Sequence, residues 1–114
     1  GIDMAQDFTR YSEPAVGTSA VQIAPGSGTA NSNDVIIGIS LSNITGSTIL
    51  ADCYINNGSA NIYLVKSAPI PSGGSLQVLA GGAKAVMQNG DALSVISDTA
   101  SSLDVWVSTV DSVS

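Results

Sequence analysis

The sequence contains no histidine and only one cysteine, Cys53. The absence of histidine removes the commonest general base and metal ligand of proteins, and with it the Ser-His-Asp and Cys-His mechanisms. A lone cysteine cannot form an internal disulfide, as is typical of proteins made in a reducing compartment, and we predict that Cys53 is a small apolar core residue. We therefore predict no enzyme activity, no cofactor, no metal site and no catalytic residue.

Basic residues are equally scarce, because three lysine and arginine residues stand against nine carboxylates and give a net charge of −6. A chain without a basic patch lacks the electrostatic footprint of nucleic-acid binding, so no nucleic-acid partner is expected. The carboxylates are scattered singly, which disfavours the acid pair of a glycosidase. No apolar run approaches membrane-spanning length and no signal peptide is recognisable, so we expect no membrane association and synthesis in a cytoplasm.

The 114 residues suit one domain. Residues 1–3 precede Met4 and are expected to be a remnant of the expression vector, residues 4–15 an amino-terminal arm, and residues 16–114 a single β-sandwich domain. The arm carries Phe8 and Tyr11. Two alternatives fit it: a first edge strand or frayed terminus, or an arm whose two aromatic rings dock on a neighbouring subunit.

The main pattern in the sequence is an alternation of apolar and polar residues. A period of two indicates strands with one buried face. Segments 34–42 and 103–108 alternate in this way. We predict that one core is formed by the following residues: Val35, Ile37, Ile39, Leu41, Ala51, Cys53, Ile55, Ile62, Leu64, Val105 and Val107.

Two Asn-Gly pairs predict hairpins with type I′ turns, at Asn57-Gly58 and at Asn89-Gly90. A two-residue turn at the first pair places Cys53 opposite Ile62 and Ala51 opposite Leu64. The same register puts Tyr54 and Tyr63 diagonally on the outer face. The proline-rich segment 68–74 is predicted to cross between strands, since proline removes ladder donors.

No segment combines helix caps with a helical apolar stripe, so about eight strands are expected. A lone sheet would leave one apolar face in water. The predicted fold is therefore all-β, an antiparallel two-sheet sandwich that is jelly-roll-like.

Trp106 alternates with Val105 and Val107, which places it on the outward face of its strand. It could be a partly covered surface residue or an anchor at a subunit contact, where tryptophan is enriched. The candidate subunit interface accordingly consists of Phe8, Tyr11 and Trp106.

Four blocks of the sequence resemble small virion structural proteins of marine tailed bacteriophages, of the cyanophage and pelagiphage type. They are MAQDFTRY at 4–11, DVIIGISLSN at 34–43, YLVKSAPIPSGGSL at 63–76 and QNGDALSV at 88–95. The resemblance implies a non-catalytic component of the capsid surface, neck or tail, located in the virion. It also implies partners among other virion proteins and further copies of the same chain, with a homotrimer expected. The alternative function is a carbohydrate- or receptor-binding β-sandwich in which Tyr54, Tyr63 or Trp106 stacks on the ligand.

Overall fold

The computed structural model describes residues 7–30, 34–79 and 83–111, and within these ranges it contains nine β-strands and no helix. The strands are β1 (Asp7–Val16), β2 (Val21–Ala24), β3 (Asp34–Asn43), β4 (Ile49–Asn56), β5 (Asn61–Ile70), β6 (Ser75–Gln77), β7 (Ala85–Met87), β8 (Ala92–Ser97) and β9 (Leu103–Asp111). The predicted all-β class is confirmed. The described ranges hold no helix that is long and apolar enough to cross a membrane.

The strands form two antiparallel sheets whose inner faces pack together, as the predicted sandwich requires. The front sheet has the order β1-β9-β3-β6, and β7 also pairs with β3. The back sheet has the order β2-β8-β4-β5. Residues 7–15 of the predicted arm belong to β1, which is the edge strand of the front sheet, and residues 1–6 lie outside the described ranges.

The strand pairs are nested along the chain. The first strand pairs with β9, the second with β8, the third with β6 and β7, and the fourth with β5. This is the pattern of one long hairpin bent over into two layers. The pairings β3–β9 and β4–β8 join its folded arms into sheets.

The core lies between the sheets and is apolar. Ile39, Leu41, Ala51, Cys53, Val105 and Val107, all predicted to be core residues, are at most 3% exposed. Burial disfavours the thiolate and raises the pKa of Cys53 to about 12. The core predictions for Ile55 and Leu64 hold only in part, because both are half-buried at its margin.

The core predictions for Val35 and Ile37 are wrong because β3 contains a β-bulge. Opposite β9, Ile36 pairs with Thr109 and Gly38 with Ser108, so Ile37 is an extra residue. One extra residue reverses the facing of every side chain before it. Ile36 is consequently buried, whereas Ile37 is 38% exposed and Val35 is only half-buried.

The predicted register of the β4–β5 hairpin is also wrong, because its loop has four residues, 57–60, rather than two. The Asn57 side-chain oxygen accepts hydrogen bonds from the Ser59 and Ala60 amides, at 3.0 and 2.9 Å. These bonds stabilise the wider loop, in which only Gly58 has a positive φ, +92°. A type I′ turn requires a positive φ at Asn57 as well, so that assignment fails.

In the observed register Ile55 opposes Ile62 and Tyr54 directly opposes Tyr63. Two bulges on β5 then bring Val65 opposite Cys53 and Ala68 opposite Ala51. Ile62, predicted to be a core residue, is 54% exposed near the hairpin tip. The strand also continues through Pro69 to Ile70, beyond the predicted break, because β5 is an edge strand and proline is tolerated there.

The second predicted hairpin is wrong because β7 and β8 belong to different sheets. The turn at Asn89-Gly90 does exist, and the Asp91 amide donates to the Gln88 carbonyl oxygen at 3.0 Å. Gly90 alone has a positive φ, +95°, so this turn is not type I′ either. It carries the chain from one layer to the other, which local turn chemistry cannot distinguish from a hairpin.

Candidate subunit interface

The outer face of the front sheet is built from cross-strand rows of side chains. Opposed residues in an antiparallel pair point to the same side of the sheet. One row is Ser12, Trp106, Ser40 and Gln77, and another is Phe8, Val110, Val35 and Val86. Trp106 therefore lies on the outer face, as its alternation with two buried valines predicts, and its strand β9 is central in the sheet.

Trp106 is 50% exposed and holds a cation against its ring. The guanidinium carbon of Arg10 lies 5.0 Å from the ring centroid. An arginine in this position is attracted by the ring quadrupole. The pairing of β1 with β9 creates this contact, since Arg10 opposes Ser108, two residues from Trp106.

Two shallow depressions, each of about 320 Å³, flank Trp106. The first is lined by apolar and basic groups that include Phe8, Arg10 and Ile37. The second is lined by Ser12, Glu13, Ser40, Ser42 and Asp104 together with Pro14 and Val105, and most of its surface is apolar as well. Trp106 belongs to both linings, so it separates the half of the face that contains Arg10 from the half that contains Asp104.

Large apolar side chains are exposed in the first half. Phe8 is 78% exposed, Val86 is 57% exposed and Ile37 is brought to the surface by the bulge. Isolated exposed apolar residues are normal in soluble proteins, but a contiguous group of them indicates a contact surface. Phe8 and Trp106, two of the three predicted interface residues, therefore lie on one face.

Tyr11, the third predicted interface residue, lies on the other side of the same strand. It opposes the buried Val107 and packs, half-buried, against the core. A side chain at Gly26 would meet the Tyr11 ring at 3.8 Å, so the loop after β2 covers this ring. The structure does not bring Tyr11 together with Phe8 and Trp106, because alternation along β1 separates them.

Tyr54 and Tyr63, the alternative stacking residues, lie on the outer face of the back sheet. Their ring centroids are 5.2 Å apart and the rings are tilted by 53°. The Lys66 ammonium lies 4.7 Å from the centroid of Tyr63 and 3.0 Å from an Asp52 carboxylate oxygen. The hydrogen bond to Asp52 raises the pKa of Lys66. Tyr54 and Lys66 thus already contact the Tyr63 ring, and the two tyrosine rings do not form a flat platform on which a sugar could stack.

Reactive groups are not gathered into a site in the part of the chain that the structure describes. Cys53 is fully buried, and its raised pKa keeps the thiol protonated. Within the described ranges no three residues among histidine, cysteine, aspartate and glutamate come close enough to hold a metal ion.

Three residues of the outer face were not among the predicted interface residues: Arg10, Ile37 and Val86. A signal for Ile37 was present, because an isolated glycine within a strand pattern, here Gly38, indicates a bulge. Arg10 is two residues from Phe8, and residues two apart in a strand point to the same face. A prediction that the arm is a strand would therefore have placed both residues on one face. The sequence around Val86 gives no such signal. The face on which Val86 lies is set by its pairing with Val35, which is distant in sequence.

A scan against protein-family models, a search of curated proteins and a search of solved structures each found no match.

Proposed function

We propose that this protein is a non-catalytic structural subunit that acts by assembling with copies of itself. The observation that carries the proposal is the outer face of the front sheet, where the exposed side chains of Phe8, Ile37 and Trp106 line one depression and Val86 is exposed farther along the same face. Tryptophan and other aromatic residues dominate the energetics of protein contacts. A small domain that keeps such a face open to water is suited to covering it with another subunit.

A virion component of a tailed bacteriophage is the proposed biological role. The sequence blocks that resemble marine phage structural proteins support it. The nested strand pairing supports it as a fold-level analogy, because β6 and β7 together take the place of one strand beside β3. On this proposal the eight strand positions paired in this order are those of a jelly roll, an architecture common in viral capsid proteins and also in lectins and cupins.

On this proposal the protein is made in the host cytoplasm and becomes part of the particle. Its partners are further copies of the chain and neighbouring virion proteins, and the resemblance predicts three copies in the assembly. Mass spectrometry of purified phage particles tests the location. Recovery of this chain in fixed proportion to the major capsid protein supports the proposal, whereas its absence from the particle contradicts it.

Light scattering coupled to size-exclusion chromatography tests self-assembly. We expect a concentration-dependent mass above one chain, and a return to one chain in Phe8→Ser and Trp106→Ser. Ile62→Ser is the matched control, since Ile62 is as exposed as Trp106 but lies on the other sheet. A monomer at every concentration, or equal effects of all three substitutions, contradicts the proposed role of this face.

Carbohydrate binding is the second candidate, and the depression beside Trp106 that contains three serines and Asp104 favours it. Serine hydroxyls and the Asp104 carboxylate lie there next to an aromatic ring, which is the chemistry that binds sugar hydroxyls and stacks on sugar rings. Trp106 is the only tryptophan, so its fluorescence reports directly on this depression. A saturable fluorescence change on titration with galactose, glucose or N-acetylglucosamine, lost in Ser40→Ala, supports this candidate. A linear or absent response removes it for these sugars.

A further inference from the structure

The two Asn-Gly pairs of the chain are alike in sequence and in exposure but differ in their hydrogen bonds. Asn57 and Asn89 are both exposed, and Gly58 and Gly90 both have a positive φ. Apart from the two chain neighbours, no described residue reaches within 4 Å of the point where either glycine would carry a Cβ. Steric access to the peptide bond after each asparagine is therefore similar, and a difference in reactivity has to come from hydrogen bonds.

The reaction open to an Asn-Gly pair is deamidation. The backbone nitrogen of the glycine bonds to the side-chain carbon of the asparagine, Cγ, and the bond from Cγ to Nδ2 breaks. Ammonia leaves and, overall, takes the proton of the glycine nitrogen with it. Water then opens the succinimide ring at one of its carbonyl carbons, which leaves either aspartate or isoaspartate. Glycine favours ring closure because it has no side chain to obstruct the approach of its nitrogen.

The loop at Asn57 supplies groups that promote ring closure. The Asn57 Oδ1 accepts hydrogen bonds from the Ser59 and Ala60 amides at 3.0 and 2.9 Å. These donors stabilise the negative charge that develops on Oδ1 during attack, as the donors of an oxyanion hole do. They also turn the side chain forward along the loop, over the peptide that contains the attacking nitrogen. That nitrogen, in Gly58, donates to the Asn56 Oδ1 at 2.8 Å in an exposed bond that solvent can replace.

The turn at Asn89 restrains the same atoms. The Gly90 amide donates to the Ala30 carbonyl oxygen at 2.7 Å, and the Ala30 amide donates to the Asp91 carbonyl oxygen at 2.9 Å. Ala30 is only 2% exposed, so ring closure would leave its carbonyl oxygen buried without a donor. Within the described ranges the Asn89 side chain accepts no hydrogen bond that would activate it.

We propose that Asn57 is a site of self-catalysed deamidation and that the fold protects Asn89 from the same reaction. This inference does not depend on the proposed assembly. The aspartate product keeps an oxygen where the Ser59 and Ala60 amides donate, so the hairpin loop persists and gains a negative charge. The isoaspartate product lengthens the backbone by one carbon atom and should open the loop between β4 and β5.

Peptide mapping by mass spectrometry measures both rates in one sample of the full folded chain, incubated at mildly alkaline pH. The full chain in concentrated urea gives the reference rates, because neither turn is formed there. Folded Asn57 should react at least as fast as in urea, since its activating donors are assembled only in the fold. Folded Asn89 should react about tenfold or more slowly than in urea, because ring closure breaks the bond between Gly90 and Ala30. Asn57→Asp provides the standard that identifies the aspartate product.

Two substitutions test the two causes separately. Ser59→Pro removes one donor to Asn57 and should slow deamidation of that residue about threefold or more in the folded chain. Asp91→Ala removes the carboxylate that accepts the Gln88 amide at 2.9 Å, loosens the turn and should speed the reaction at Asn89. Each should change the rates in urea little, since both Asn-Gly pairs remain.

The comparison with urea uses the unaltered chain, so it decides the matter even if Ser59→Pro does not fold. Folded Asn57 reacting more slowly than in urea overturns the proposal, because the loop would then protect it. Equal rates at Asn57 and Asn89 in the folded chain also overturn it, since the hydrogen bonds would then make no difference.

Discussion

The outer faces of the two sheets carry similar types of residue. They differ in how far these residues contact other side chains of the same chain. On the back sheet, Tyr54 packs on Tyr63, and Lys66 pairs with Asp52. The second Asp52 oxygen accepts the Ser67 amide at 2.7 Å. On the front sheet Arg10 covers part of Trp106, while the apolar side chains around them remain open to water.

This difference separates an aromatic surface that is covered within the chain from one that we propose as an interface. A tyrosine pair with a lysine and a carboxylate around it is already satisfied within one chain, so a partner would have to displace existing contacts. An exposed phenylalanine, isoleucine and valine beside a half-exposed tryptophan gain contacts only from another molecule. The contrast concerns the aromatic residues and their neighbours, since the back sheet also exposes Leu50 and Ile62.

The largest expected effect concerns the inner faces of the two sheets, and it tests whether both contribute equally to stability. Leu41 in the front sheet and Leu93 in the back sheet are both fully buried. Leu41→Ala and Leu93→Ala should each lower the free energy of unfolding by about 2–5 kcal/mol, since each leaves a cavity. Urea denaturation at low protein concentration measures both. A loss below about 1 kcal/mol on one sheet only would show that the core is not shared equally.

A pH dependence should follow from the dry inner face of the back sheet. Burial raises the pKa of the Cys53 thiol from its ordinary value of 9.0 to about 12 in the folded protein. The unfolded thiol ionises first as the pH rises, so this contribution to stability is complete below pH 9 and is lost between pH 9 and 12. From pH 8 to about 10.5 the loss should be about 2 kcal/mol.

Cys53→Ala supplies the control for that measurement, because tyrosines and lysines titrate over the same interval. Urea denaturation curves of both proteins at the two pH values give the difference due to the thiol alone. Equal pH dependence in the two proteins would mean that the thiol is hydrated in the folded state.

Exchanging one aromatic residue on each outer face should sharpen the contrast. Trp106→Ala should change the unfolding free energy of the monomer by about 1 kcal/mol or less, chiefly through the lost cation–π contact, yet abolish self-association. Tyr54→Ala should remove an aromatic pair worth about 0.5–1.5 kcal/mol and leave association intact. Denaturation and light scattering on the same samples separate the two readouts. The reverse assignment of effects would place the interface on the back sheet.

The smallest expected effect concerns the Lys66–Asp52 ion pair. Lys66→Met should lower the denaturation midpoint only slightly and leave the oligomeric mass unchanged, because the Lys66 ammonium is exposed and its contacts with Asp52 and Tyr63 are screened by water and salt. A clear loss of stability that disappears in high salt would assign this pair a larger structural role.

The sequence pattern correctly predicted the side of the sheet to which each side chain points where a strand is regular. It failed where a strand contains a bulge. Val105 and Val107 point inward because β9 keeps a strict alternation from Leu103 onward. In β3, the consecutive residues Ile36 and Ile37 are both apolar, although consecutive residues of a strand point to opposite faces. The periodicity of the sequence therefore could not show which of the two faces the core. The glycine that follows was the one local sign of the bulge.

Strand pairing was the other limit on prediction. Asn57-Gly58 marks a turn, but the length of its loop depends on hydrogen bonds made by the Asn57 side chain, which the dipeptide alone does not reveal. At the candidate interface the outward position of Trp106 was predictable from its neighbours. Its contact with Arg10 was not, because the two residues are 96 positions apart and meet only through the pairing of β1 with β9.

The nested pairing has a consequence for the order of folding. Among the described strands only β4 and β5 are paired neighbours in sequence, whereas β1 and β9 can pair only after the intervening chain has been closed into a loop. Loop closure costs entropy that increases with length, so we expect folding to start at the β4–β5 hairpin and to end at β1. Amides of β1 should then exchange with deuterium sooner than those of β4 in native-state experiments. Because β1 supplies Phe8 and Arg10, the face that we propose for assembly is complete only when the rest of the chain has folded.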